Sequence, residues 1–100
     1  MRLGKVIGRV TLSRVVDGLR GGRWLVVSPH RRETFEAGAL DVPGVSPDPS
    51  LVVYDDIGGG VGDVIGFVEG REAAQPLNPP QPIDAINAAL VDHVFYRADR

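Results

Sequence analysis

The chain has 100 residues, the size of one domain, and a fold of that length removes only about two-thirds of its unfolded surface from water, so its margin of stability is thin. Hydrophobic residues make up 43% of it but aromatic ones only 6%, so the core must come mostly from valine, leucine, isoleucine and alanine; the formal charge of -2 supplies no global field for nucleic acid or an anionic membrane surface. Cysteine is absent, which excludes disulfides and thiolate metal sites, and the longest apolar runs, such as residues 51–54, fall far short of the ~20 residues of a membrane-spanning helix.

The opening Met1-Arg2-Leu3-Gly4-Lys5 lacks the unbroken apolar stretch of a secretory signal, so a cytoplasmic location is expected. Residues 5–13 then alternate. Val6, Gly8, Val10 and Leu12 fall on one face and Lys5, Ile7, Arg9, Thr11 and Ser13 on the other, the period of a half-buried strand. Asp17-Gly18-Leu19-Arg20-Gly21-Gly22 is turn material that joins this strand to the next, because glycine takes positive φ without a Cβ clash. In residues 23–28 Trp24 and Val26 face one way and Leu25 and Val27 the other, leaving no polar face. Such a strand is central to its protein or buried against a neighbour.

Residues 29–50 contain Pro43, Pro47 and Pro49 with Gly38 and Gly44, which rules out a long helix or a central strand and predicts a long loop or irregular hairpin. Strand character resumes in residues 51–54 and again in 64–68, on either side of the cluster Gly58-Gly59-Gly60-Val61-Gly62. Short strands separated by turns indicate a small all-β barrel or sandwich. Residues 69–81 hold at most one helical turn before Pro76, Pro79 and Pro80. In residues 82–97 the alanines and Pro82 favour helix while residues 91–96 favour strand, and propensity alone leaves the two open.

Catalytic patterns are sparse. The 58–62 cluster is a candidate anion cradle, but it lacks the lysine and hydroxyl residue of a phosphate loop, so a tight turn or a close backbone approach is the stronger reading. Asp55 and Asp56 are adjacent, and neighbours on a strand point to opposite faces, so they do not share a proton. Asp63, Asp84 and Asp92 stand alone in the sequence, as caps, turn residues or partners in intersubunit hydrogen bonds. His30 and His93 lack ligand spacing for zinc, and Ser13, Ser28, Ser46 and Ser50 lack a nucleophile elbow. Arg31-Arg32 is followed by Glu33 and Glu36, the pattern of a solvated mixed-charge loop. No enzyme, metal or cofactor is expected.

Three blocks in order resemble the bacterial microcompartment vertex proteins of the EutN/CcmL type. The first is Gly4-Lys5-Val6-Ile7-Gly8-Arg9-Val10, followed by Gly22-Arg23-Trp24-Leu25-Val26-Val27-Ser28-Pro29. The second and most specific is Asp55-Asp56-Ile57-Gly58-Gly59-Gly60-Val61-Gly62-Asp63-Val64-Ile65, similar to the family's aspartate, glycine-alanine-glycine and acidic signature, with Gly59 where alanine is usual. The third is Pro82-Ile83-Asp84-Ala85 leading to Leu90-Val91-Asp92. The resemblance spans nearly the whole chain; the segment 70–74 matches only in part, and the loop 41–50 has no clear counterpart.

The resemblance implies one domain over residues 1–100: an all-β, five-stranded, oligonucleotide-binding-like barrel with a short helix near residues 70–75 and a strand over most of 85–96. It further implies a homopentamer that closes shell vertices beside hexameric shell proteins, binding neither nucleic acid nor membrane. Trp24, Val26, Asp55, Gly58, Gly60, Gly62, Asp84 and Asp92 are the candidate subunit-interface residues. Gly60 and Gly62 are expected to allow close backbone approach, and Asp55 and Asp92 to fix loops by accepting backbone N–H bonds. The alternative is a single-stranded nucleic-acid-binding barrel with Trp24, Tyr54, Phe67 and Tyr96 as stacking rings, which the acidic balance disfavours.

Overall fold

Valine- and isoleucine-rich segments form five strands, β1 (Arg2–Val10), β2 (Arg23–Pro29), β3 (Leu51–Asp55), β4 (Val64–Glu69) and β5 (Ala85–Leu90). They close into a barrel in the order β1-β2-β3-β5-β4. The structure is a computed structural model that describes residues 1–36 and 45–95. Four seams are antiparallel; the fifth, β3 with β5, is parallel and paired at Tyr54 and Ile86. Closure gives each of these strands a neighbour on both sides, which matters for a short chain with apolar strands.

Inward positions of the strands supply the core: Val6, Leu25, Val27, Val53, Ile65, Phe67 and Ala85. Gly4 lies among them because a Cβ there would stand 2.5 Å from Val27 Cγ1 and 3.1 Å from the Phe67 ring. A second apolar cluster forms on the outside of the wall. Tyr54 and Ile86 from the strands meet Leu19 of the 3-10 turn Asp17–Leu19 and Ala73 of the 3-10 helix Gly70–Ala74, with Trp24 and Val68 packed alongside. The short helix expected near residues 70–75 is this single 3-10 turn, started by Gly70 at φ +77°.

The alternation expected along β1 breaks in the middle. Val6 pairs with Val27 but Gly8 pairs with Val26, so Ile7 is an extra, bulged residue. Side chains that oppose each other share a face, so Gly8 and Val10 lie outside with Val26 and Trp24 rather than inside with Val6. Leu12 lies beyond the end of the strand and is 43% exposed.

One expectation gains detail and one is corrected. The loop 29–50 contains a one-turn helix, α1 (Arg32–Glu36), held by Arg31 N–H donating to Thr34 Oγ1 and by an Arg32–Glu36 ion pair; Gly38, Pro43 and Gly44 lie outside the described residues. Strand β5 stops at Leu90 instead of running on toward Tyr96, which is itself outside the described residues. The reason is partner length. Leu90 opposes Ile65, Val91 N–H donates to Val64 O at 2.8 Å, and β4 begins at Val64.

Candidate subunit interface

Asp55 ends β3 on its inward side and is 1% exposed. Its Oδ1 accepts from Ile57 N–H at 3.2 Å and Asn87 Nδ2 at 2.9 Å, and its Oδ2 from Gly58 N–H at 3.2 Å and Gly59 N–H at 2.9 Å. Asp63 Oδ2 takes the next amide, that of Gly60, at 2.9 Å. Gly62 N–H donates to Val6 O and Val6 N–H to Asp63 O, stitching the loop to β1. The amides of residues 57–60 are thus turned onto the chain's own carboxylates, so a phosphate would find its donors taken. The loop is a turn. Asp56, by contrast, is exposed.

The glycines of this loop differ in what they require. Gly58 and Gly62 sit at φ +97° and +96°, where a side chain is strained. Gly59 has ordinary backbone, and a Cβ would come within 3.0 Å of Asn87 Nδ2 and Leu25 Cδ1. At Gly60 a Cβ would meet only Asp63 Oδ2, at 3.9 Å, so the chain itself leaves room there. Asn87 was not among the residues singled out from sequence. Its signal is faint but present: one amide inside the apolar strand AINAAL, which a buried position permits only with a hydrogen-bond partner.

Trp24 and Val26 share the outer face of β2. Trp24 packs edge-on against Tyr54, with ring centroids 5.2 Å apart, so much of its surface serves the chain's own second cluster. Burial, then the carboxylates of Asp56 and Asp55, push the Tyr54 phenol upward and keep it neutral. One row along, Val26 lies between Gly8 and Val52. Val52 is 48% exposed, and this Gly8–Val26–Val52 row is an apolar strip on the barrel wall.

The remaining candidates are scattered. Asp84 is exposed and contributes its backbone oxygen, which accepts from Gly70 N–H at 2.8 Å. Among the described residues no amide donates to Asp92: its side chain is 96% exposed and its carboxylate lies 3.6 Å from His93 Nε2, because β5 has already ended. His30 sits away from His93, edge-on to Phe35 beside a cleft of about 310 Å³ lined by Lys5, Thr34, Val45 and Pro47. Burial first, then Lys5, lowers its pKa from the ordinary 6.5, and its buried Nδ1 has no partner among the described residues. Among those residues no group of three or more His, Cys, Asp or Glu is arranged to hold a metal, and no helix is long and apolar enough to cross a membrane.

The family model described as "Ethanolamine utilisation protein EutN/carboxysome" matches residues 1–92. The chain belongs to the EutN/CcmL family. Among solved structures, the GrpN pentameric microcompartment shell protein of Rhodospirillum rubrum is 29% identical over 97% of this chain and 100% of its own, with a TM-score of 0.75. EutN of Escherichia coli is 25% identical over 96% and 89%, and CcmL of a Nostoc species 25% over 100% and 95%, each with a TM-score of 0.75. No curated protein sequence matches. The fold class expected from the resemblance is the one found, a closed five-stranded barrel of the kind used by pentameric shell proteins. Nothing in the fold or the family match favours the single-stranded nucleic-acid module.

Proposed function

We propose that this chain, as a single domain over residues 1–100, is a non-catalytic subunit of a bacterial microcompartment shell in the cytoplasm. Five copies form a ring that closes the shell's vertices and meets hexameric shell proteins at its rim. A lattice of hexagonal tiles stays flat or rolls into a tube, and closing it takes five-fold units at the corners. The function is therefore shape, delivered by heterologous contacts whose rotation closes after five copies.

The observation that carries this reading is the family match over residues 1–92, joined to a barrel that superposes on a pentameric shell protein over 97% of the chain. The glycine loop fits the role: its donors are satisfied within the chain, so it is a rigid feature ready to be packed against. Native mass spectrometry is expected to give the mass of five chains. Co-expression with hexameric shell proteins is expected to give closed particles, and omission of this chain to give sheets or tubes. A lone polypeptide at high concentration, inert toward such a lattice, overturns the reading.

A further inference from the structure

Although the whole chain carries a formal charge of -2, residues 9–23 hold Arg9, Arg14, Arg20 and Arg23 against the lone carboxylate of Asp17. That carboxylate is already engaged, since Arg20 Nε donates to Asp17 Oδ1 at 2.8 Å. The stretch 11–22 leaves β1 at Val10 and enters β2 just before Trp24, the residue paired with Val10, so its two ends lie together. Compact loops with closed ends and side chains packed inside them are a common seat of function. Leu19, 3% exposed, anchors this loop on the outer cluster, and Leu19 N–H donating to Val16 O at 3.0 Å holds its 3-10 turn.

Between the loop and the facing ends of β1 and β2 lies a cleft of about 310 Å³, at the small end of the range for small-molecule pockets. Val15, Leu19 and Trp24 supply apolar walls, and Arg9, Thr11 and Arg23 supply polar groups. Among the described residues no carboxylate lines it. Arg9 has no hydrogen-bond or ion-pair partner among those residues, and the Arg23 guanidinium meets only a carbonyl, Gly59 O at 3.3 Å. Asp55 opposes Arg23 across the β2–β3 ladder, but its carboxylate already accepts from four donors of the glycine loop and Asn87. Two guanidiniums without counter-ions beside an apolar wall select a ligand with a negative head and a short apolar body, because the arginine fork matches carboxylate and phosphate oxygens.

We propose that this cleft binds a small organic anion, a carboxylate or phosphate on a short aliphatic chain, with Arg9 and Arg23 gripping the head and Val15, Leu19 and Trp24 covering the chain. The proposal goes beyond the shell role and does not depend on it. Trp24 is the only tryptophan, so its fluorescence reads this cleft directly. The purified protein is titrated with butanoate and with butyl phosphate, which distinguish the two heads, and with inorganic phosphate and butanol, which offer head and body separately. At least one of the organic anions is expected to give a saturable change, with saturation transfer from protein to its methyl group in NMR. Inorganic phosphate and butanol should bind about 10-fold or more weakly than that anion. Arg9→Gln and Arg23→Gln should each raise Kd about 10-fold, the least that a charge-assisted hydrogen bond contributes. Arg9 holds nothing within the described chain, so its replacement tests binding without disturbing the fold. Arg20→Gln is the control: its side chain is held by Asp17 outside the cleft lining, and Kd should stay within about two-fold. Absence of binding by both fluorescence and NMR, butanol binding as well as the anions, or an unchanged Kd in both Arg9→Gln and Arg23→Gln, each overturns the site.

Discussion

The glycine loop and the Gly8–Val26–Val52 strip are both glycine-containing surfaces of one small barrel, yet they are finished differently. In the loop every amide from 57 to 60 has a carboxylate acceptor from the same chain, and Asp55 also binds Asn87 across the β3–β5 end of the barrel. In the strip the apolar side chains are set out in register, with Val26 partly buried and Val52 48% exposed. Polar groups withdrawn from water must be satisfied where they are, whereas an apolar surface can wait for a second molecule. The difference separates what holds one subunit together from what is available to join two.

Substitutions sharpen that division. Asp55→Ala should have the largest effect on the isolated chain, a loss of about 3–5 kcal/mol in urea unfolding, since four donors lose their acceptor and each stranded buried donor costs ~1–3 kcal/mol. An unchanged midpoint would show that water replaces the carboxylate and that the loop is not held as described. Val52→Asp should do the reverse. Unfolding of the single chain should move by less than ~0.5 kcal/mol, as for other exposed positions, while rings are lost from native mass spectra.

The loop glycines give intermediate effects that distinguish backbone strain from contact with a neighbour. Gly62→Ala forces a side chain into positive φ and should cost about 1–2 kcal/mol in the chain itself. Gly60→Leu has room within the chain and should leave its unfolding nearly unchanged while weakening assembly. If the Gly60→Leu ring keeps its mass and stability, no neighbour approaches there.

The smallest expected effect concerns pH. The folded state holds the His30 ring neutral below its ordinary pKa of 6.5, through burial and then Lys5. As pH falls below 6.5 the unfolded chain takes up a proton that the folded chain refuses, so stability declines until the folded ring titrates too. His30→Gln should flatten that decline in a series of urea curves between neutral and mildly acidic pH. An unaltered slope would assign the acid sensitivity to other groups.

Much of the barrel was legible because its period-2 signals are local. The two-sided apolar strand at Trp24–Val27, the turn glycines and the short strands on either side of residues 58–62 all recur in the fold. The face of Gly8 and Val10 was not legible, because a one-residue bulge at Ile7 depends on pairing with β2 and leaves no mark in composition. Nor was Asn87 visible as the partner of Asp55, being 32 residues away along the chain. Asp92 accepts no backbone amide among the described residues for a related reason: an acceptor needs a facing amide, and the strand had ended.

By itself the sequence determined that the chain is a small all-β domain without thiol chemistry, because alternation, glycine placement and the lack of cysteine act residue by residue. Only the tertiary structure decided which apolar residues are inside and where the last strand stops. Those outcomes depend on register and on the length of a partner strand, quantities that exist only once distant segments lie side by side.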